Sequence, residues 1–122
     1  LVAGYRTAGL PVELRIHGQA RALASGVELS VYRIVEEALT NVLKHSRPST
    51  VAVALSFHTS ALEVEIEDDG ARPAPIQRIP GPGHGILGMR ERVTALGGVF
   101  EAQERAGGGF RVGARLPIDD AA

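Results

Sequence analysis

The run Arg33-Ile-Val-Glu-Glu-Ala-Leu-Thr-Asn-Val-Leu-Lys-His45 decides how the rest of the chain is read. Val31, Val35, Ala38, Leu39 and Val42 recur at intervals of three and four, which predicts an α-helix from Gly26 to Ser46 with one apolar side. Pro48 prevents its continuation. Along the border of the apolar stripe Glu37, Asn41 and His45 recur every four residues and form one polar line. A carboxylate, an amide and an imidazole in such a line can offer oxygen to a hard cation such as Mg2+ while a base orients or activates a second group. Lys44 adds a point charge suited to phosphate. The same spacing also suits a solvated helix edge, so both readings stay open at this point.

Outward from that helix the periodicity changes to two. Before it, Val12, Leu14 and Ile16 alternate with Glu13, Arg15 and His17, which predicts a strand with one buried face. Residues 1–10 read as the end of a helix or linker from an upstream segment, stopped at Gly9. After it, Val51 to Phe57 and Leu62 to Ile66 alternate and are joined by His58, Thr59, Ser60 and Ala61, as in an antiparallel hairpin. A second helix is expected from about Ile86 to Leu96, ending at Gly97 and Gly98. A second hairpin, Val99 to Glu104 and Arg111 to Leu116, turns about Gly107, Gly108 and Gly109. This order implies an α+β fold: a two-layer α/β sandwich whose mixed, mainly antiparallel sheet is covered on one face by helices.

Composition narrows the functions available. A chain of 122 residues supplies one core, which excludes a two-domain enzyme. With 44% hydrophobic and 22% charged residues it is neither depleted enough for disorder nor continuous enough for a membrane span. Thirteen Lys and Arg against fourteen Asp and Glu leave no basic footprint for nucleic acid. The absence of cysteine removes thiol catalysis, thiolate metal sites and disulfides. His17 and His58 lack ligand spacing to a second histidine or acid, so zinc is not expected. The chain opens at Leu1 without a signal-peptide pattern and reads as a piece of something longer.

Two further stretches carry possible chemistry. Glu65-Ile-Glu-Asp-Asp-Gly70 is a strand of mounting negative charge that ends on a glycine. There an acid such as Asp68 can accept from a ligand donor while Gly70 lets the ligand come close, although Asp followed by Gly is also common turn chemistry. Residues 70–85 hold Pro73, Pro75, Pro80 and Pro82 with Gly70, Gly81, Gly83 and Gly85, and read as a long mobile loop. Gly83-His-Gly-Ile-Leu-Gly88 fits G-x-G-x-x-G, but a loop precedes it and a hairpin follows, so it is not a dinucleotide fingerprint. A glycine approach to a helix start still offers free backbone N–H groups to an anion.

In this order the pieces resemble the ATP-binding catalytic domain of bacterial two-component sensor histidine kinases, of the GHKL or Bergerat superfamily shared with gyrase and MutL. The run 33–45 and Gly85-Ile-Leu-Gly-Met-Arg-Glu-Arg92 look most like the subclass that pairs with LuxR/NarL-type response regulators. The resemblance covers about Val12 to Pro117 and implies an ATP-binding domain over residues 11–118, a lid at 71–84 and a tail at 119–122. It implies that Asn41 ligates Mg2+ bridging the ATP phosphates and that Glu37 is the catalytic residue, assisting proton transfer or orienting the attacking imidazole. Lys44 and His45 would lie near the phosphates, Asp68 would accept from the adenine amino group, and Gly70 would let the base approach. Gly85, Ile86, Leu87 and Gly88 would meet phosphate with their backbone.

The cofactors implied are ATP and Mg2+. The partners implied are an upstream dimerisation and histidine phosphotransfer domain and a LuxR/NarL-type response regulator. The domain itself would be cytoplasmic and touch neither nucleic acid nor membrane, a monomer cut from a homodimeric parent. Two positions depart from the family pattern: Arg72 replaces the second glycine of D-x-G-x-G, and Phe110 follows the triple glycine where Thr is frequent. Two other readings share the fold, an anti-sigma-factor-type serine kinase and a degenerate domain that transmits conformation without catalysis.

Overall fold

The computed structural model describes residues 2–7, 9, 11–45, 50–69, 84–105 and 108–118, with the backbone alone for 2, 43–45, 84 and 85. The elements are α1 (Val2–Thr7), β1 (Val12–His17), α2 (Ser25–His45), β2 (Val51–Phe57), β3 (Ala61–Asp68), α3 (His84–Ala95), β4 (Val99–Glu104) and β5 (Phe110–Pro117). The five strands form one sheet in the order β1-β2-β3-β5-β4. Only the β1–β2 pair is parallel, as its crossover through α2 requires; the other three are antiparallel. Both expected hairpins are present, and the mixed two-layer architecture is the one expected.

The core forms where helix and strand periods meet. From α2, Ile34, Val35, Ala38, Leu39 and Val42 are buried; from α3, Met89 and Val93. Beneath them lie Val51 and Val53 of β2, Leu62, Val64 and Ile66 of β3, and Val112, Ala114 and Leu116 of β5. Gly97 takes a positive φ of 80°, and its amide and that of Gly98 bond back to the carbonyls of Thr94 and Val93, closing α3. The opposite face of the sheet is polar. Glu63, Glu65 and Glu67 of β3 face Arg115, Arg111 and Arg105, at 3.5, 2.6 and 3.7 Å. The hydrogen bond to Glu65 holds the Arg111 guanidinium above its ordinary pKa, so this cation keeps its charge.

The strand at the edge departs from its pattern. Val12 is buried, but Leu14 and Ile16 on the same face are 42% and 52% exposed. Alternation reports which side chains share a face, not how far the helix layer extends over it. α1 covers only the start of β1: Arg6 Nε donates to the Val12 carbonyl at 2.9 Å, and the Tyr5 hydroxyl reaches α2. Element ends also shift. α2 begins at Ser25, β3 runs on to Asp68, and α3 begins at His84, two residues earlier than expected. The loop expected at 70–85 lies outside the described residues except for its last two, which open α3. Among the described residues no helix is long and apolar enough to cross a membrane.

Two substitutions on one sheet face separate the covered part from the uncovered part. Leu62→Ala, at a fully buried position, should cost about 2–5 kcal/mol. Ile16→Thr should stay within about 0.5 kcal/mol, as surface changes do. Urea unfolding of both variants checks the pair.

Candidate active site

The alternation of β3 puts Leu62, Val64, Ile66 and then Asp68 on the helix-covered side. Asp68 is 1% exposed, and its register partner is Phe110, the first residue of β5. The neighbouring acid has a different role. Asp69 is exposed; its Oδ1 accepts from the Thr50 amide at 2.8 Å and its Oδ2 from the Thr50 hydroxyl at 3.3 Å. The turn chemistry that the sequence allows for this acidic stretch therefore belongs to Asp69, which ties the end of β3 to the start of β2. Asp68 is an inward carboxylate, a group that is expensive to bury without partners.

Two contacts from the β4–β5 turn fix the main chain at Asp68. Arg105 Nη1 donates to its carbonyl oxygen at 3.0 Å. Gly109, buried and at a φ of 96°, lies so close that a Cβ there would overlap the same oxygen. Only glycine combines that conformation with that approach.

On α2, Glu37 and Asn41 are both half-buried, at the border where the sequence puts them. α3 packs beside α2, and between them opens a cleft of about 330 Å³. Its walls are Arg33, Glu36, Glu37 and Thr40 from α2 and Gly88, Met89 and Arg92 from α3. The structure thus brings Glu37 and Gly88, fifty-one residues apart in sequence, to one opening. Asn41 stands one helical turn further along the line of Glu37; neither it nor Asp68 lines this cleft. Ile86 packs on the core, whereas Leu87 is 53% exposed. Gly70 and the residues from 71 to 83, Arg72 included, lie outside the described residues, as do the side chains of Lys44 and His45.

Because α3 begins at His84, the amides of residues 84–86 are left without helical acceptors. Gly88 is past that turn and contributes something else: a Cβ there would meet nothing within 4 Å, so the glycine leaves the wall of the cleft open. Among the described residues no group of three or more His, Asp or Glu could hold a metal. Sequence reasoning missed five residues of the cleft, Arg33, Glu36, Thr40, Met89 and Arg92. Arg33 precedes Glu37 by four and Arg92 follows Gly88 by four, a spacing that could have found both. Thr40 needed the structure: the Tyr5 hydroxyl donates to the Glu36 carbonyl at 3.1 Å, so the 2.6 Å bond between Tyr5 and Thr40 takes its proton from Thr40.

The family described as histidine kinase-, DNA gyrase B- and HSP90-like ATPase matches residues 26–120. The chain is 33% identical over 108 residues to the sensor histidine kinase LiaS of Bacillus subtilis, covering 88% of this chain and 30% of that protein. It is 31% identical over 104 residues to the nitrate/nitrite sensor protein NarX of Escherichia coli, covering 85% of this chain and 17% of that protein. The mycobacterial sensor histidine kinase MprB superposes with a TM-score of 0.69 at 22% identity, over 98% of this chain and 92% of that one. The structure of ShkA in complex with AMPPNP gives 0.72 at 20% identity, over 97% and 27%. The chain belongs to this ATPase family and has its fold; it is the ATP-binding domain found in sensor histidine kinases. It spans less than a third of the length of the two curated relatives compared.

Two glycine substitutions test the two kinds of glycine at the site. Gly109→Ala should cost more than about 2 kcal/mol, since it adds backbone strain to an overlap with the Asp68 carbonyl. Gly88→Ala has free space and helical backbone, and should raise stability by roughly 0.5–1 kcal/mol. Thermal unfolding of the two variants should move in opposite directions.

Proposed function

We propose that this domain binds Mg-ATP and hands the γ-phosphate to a histidine on an upstream dimerisation domain of a cytoplasmic sensor-kinase region. The observation that carries the reading is the shared cleft, where Glu37 of α2 faces the open flank of Gly88 on α3. Asp68, buried at the end of β3, accepts from the adenine amino group, and Gly70 lets the base approach. The free amides of Gly85 and Ile86 at the start of α3, with Leu87 and Gly88 just after them, meet the phosphates, helped by the positive end of the helix. Lys44 and His45, the last two residues of α2, serve the phosphates in this reading. The structure of ShkA with AMPPNP bears on this reading as a fold relative that holds a nucleotide analogue.

The donor set fits magnesium only in company. Asn41 offers one amide oxygen and no acidic cluster surrounds it among the described residues, so Asn41 would hold a Mg2+ only together with phosphate and water oxygens. When bound it neutralises phosphate charge. The work of the chain is positioning. Glu37 orients the incoming imidazole and takes its proton as the new N–P bond forms and the bond from γ-phosphorus to the bridging oxygen of ADP breaks. A LuxR/NarL-type response regulator would receive the phosphoryl group from that histidine, and the parent would be a homodimer through its dimerisation segment.

Thermal unfolding with nucleotides tests this. ATP and ADP, and not GTP, should stabilise the domain, by about 2.7 kcal/mol at 100 times the dissociation constant. Asp68→Asn should lose the shift while unfolding normally without nucleotide, and Asn41→Ala should make the ATP shift insensitive to Mg2+. An unchanged melting temperature with every nucleotide would overturn the reading.

A further inference from the structure

Almost every described arginine of this chain has a structural partner. Arg6 and Arg21 hold main-chain carbonyls, and Arg90 donates to the Phe100 carbonyl and lies over its ring. Arg15, Arg105, Arg111 and Arg115 each pair with a glutamate of the sheet. Arg33, in the α2–α3 cleft, pairs with Glu36 at 3.1 Å. Arg92 alone has no hydrogen bond or ion pair among the described residues, and it lines that same cleft. Glu37 across from it has none there either, so the two do not neutralise each other.

The geometry of α3 aims this side chain. From Gly88 to Arg92 the helix advances about 6 Å and returns nearly to the same azimuth. Helical side chains lean toward the N-terminus, so a guanidinium at 92 extends over the turn of Gly88, where the missing Cβ leaves room. A phosphate entering there also meets the carboxylate of Glu37, which repels it unless a cation stands in the same opening. The planar fork of arginine suits phosphate oxygens in that role.

We propose that Arg92 binds the terminal phosphate of the nucleotide and is the side chain by which the site tells a triphosphate from a diphosphate. The proposal rests on the nucleotide reading above and adds to it a residue for the third phosphate. Titration calorimetry of the 122-residue chain with Mg-AMPPNP and Mg-ADP tests it on wild type, Arg92→Gln and Arg92→Lys. Arg92→Gln should weaken AMPPNP about ten-fold and leave ADP within about two-fold; Arg92→Lys should restore part of the loss as a point charge. Equal weakening of both nucleotides, as from a structural role in the last turn of α3, would overturn the proposal. So would an unchanged ratio between them. Failure of the wild type to bind either nucleotide would instead overturn the nucleotide reading itself, and this assignment with it.

Discussion

The placement of the site depends on the register of one strand. β3 is central, paired with β2 on one side and β5 on the other, and its even-numbered residues all face the helices. Carried past Ile66, that alternation delivers a carboxylate, Asp68, to the buried side. A slip of one residue would put Glu65 and Glu67 into the core and turn Leu62, Val64 and Ile66 outward, so the hydrophobic pattern holds the register strongly. The end of the strand is held a second time by polar contacts, Thr50 to Asp69 and Arg105 to the carbonyl of Asp68, and Gly109 packs close against that carbonyl.

α2 distributes three tasks around its circumference. Its apolar side lies on the sheet; its border toward α3 carries Glu37, with Asn41 one turn further along; its outer side receives Tyr5 at Glu36 and Thr40. Thr40 belongs to two of these surfaces, since it lines the cleft and donates to Tyr5. The short helix that precedes β1 is thereby fastened to the wall of the cleft itself. Its other tie, from Arg6 to Val12, fixes it to the edge strand, so α1 is held at two points on different layers.

Much of this was legible in the sequence because helix and strand periods are imposed by burial. The three-and-four spacing from Val31 to Val42 found the core side of α2, missing only Ile34, and placed Glu37 and Asn41 at its border. The hairpins followed from alternation and glycine. What was not legible depends on neighbours. Leu14 and Ile16 alternate as a buried strand does, yet among the described residues no helix covers them and both stay exposed. Asp68 and Asp69 are chemically identical in sequence, and only the pairing with Thr50 separates the turn-former from the inward acid. The cleft arginines were hidden for the same reason: a cation four residues from a site residue is visible, but whether another side chain has already claimed it is not.

That last distinction orders the electrostatics of the whole domain. On the open face of the sheet, glutamates of β3 pair with arginines of β5 and of the β4–β5 turn, an arrangement in which each exposed pair adds little to stability but suppresses repulsion along a row of like charges. On the helix side the charges are fewer and are not matched in this way. In the cleft Glu36 takes Arg33, while Glu37 and Arg92 stand across from each other without pairing. Had they met as a close ion pair, each would have been held by the other, and an entering phosphate would have had to break that contact before using the cation. Under the proposed nucleotide reading both are available at once, the arginine for negative charge and the carboxylate for a proton. Met89 and Val93, both buried in the core, hold α3 beside α2 along this opening.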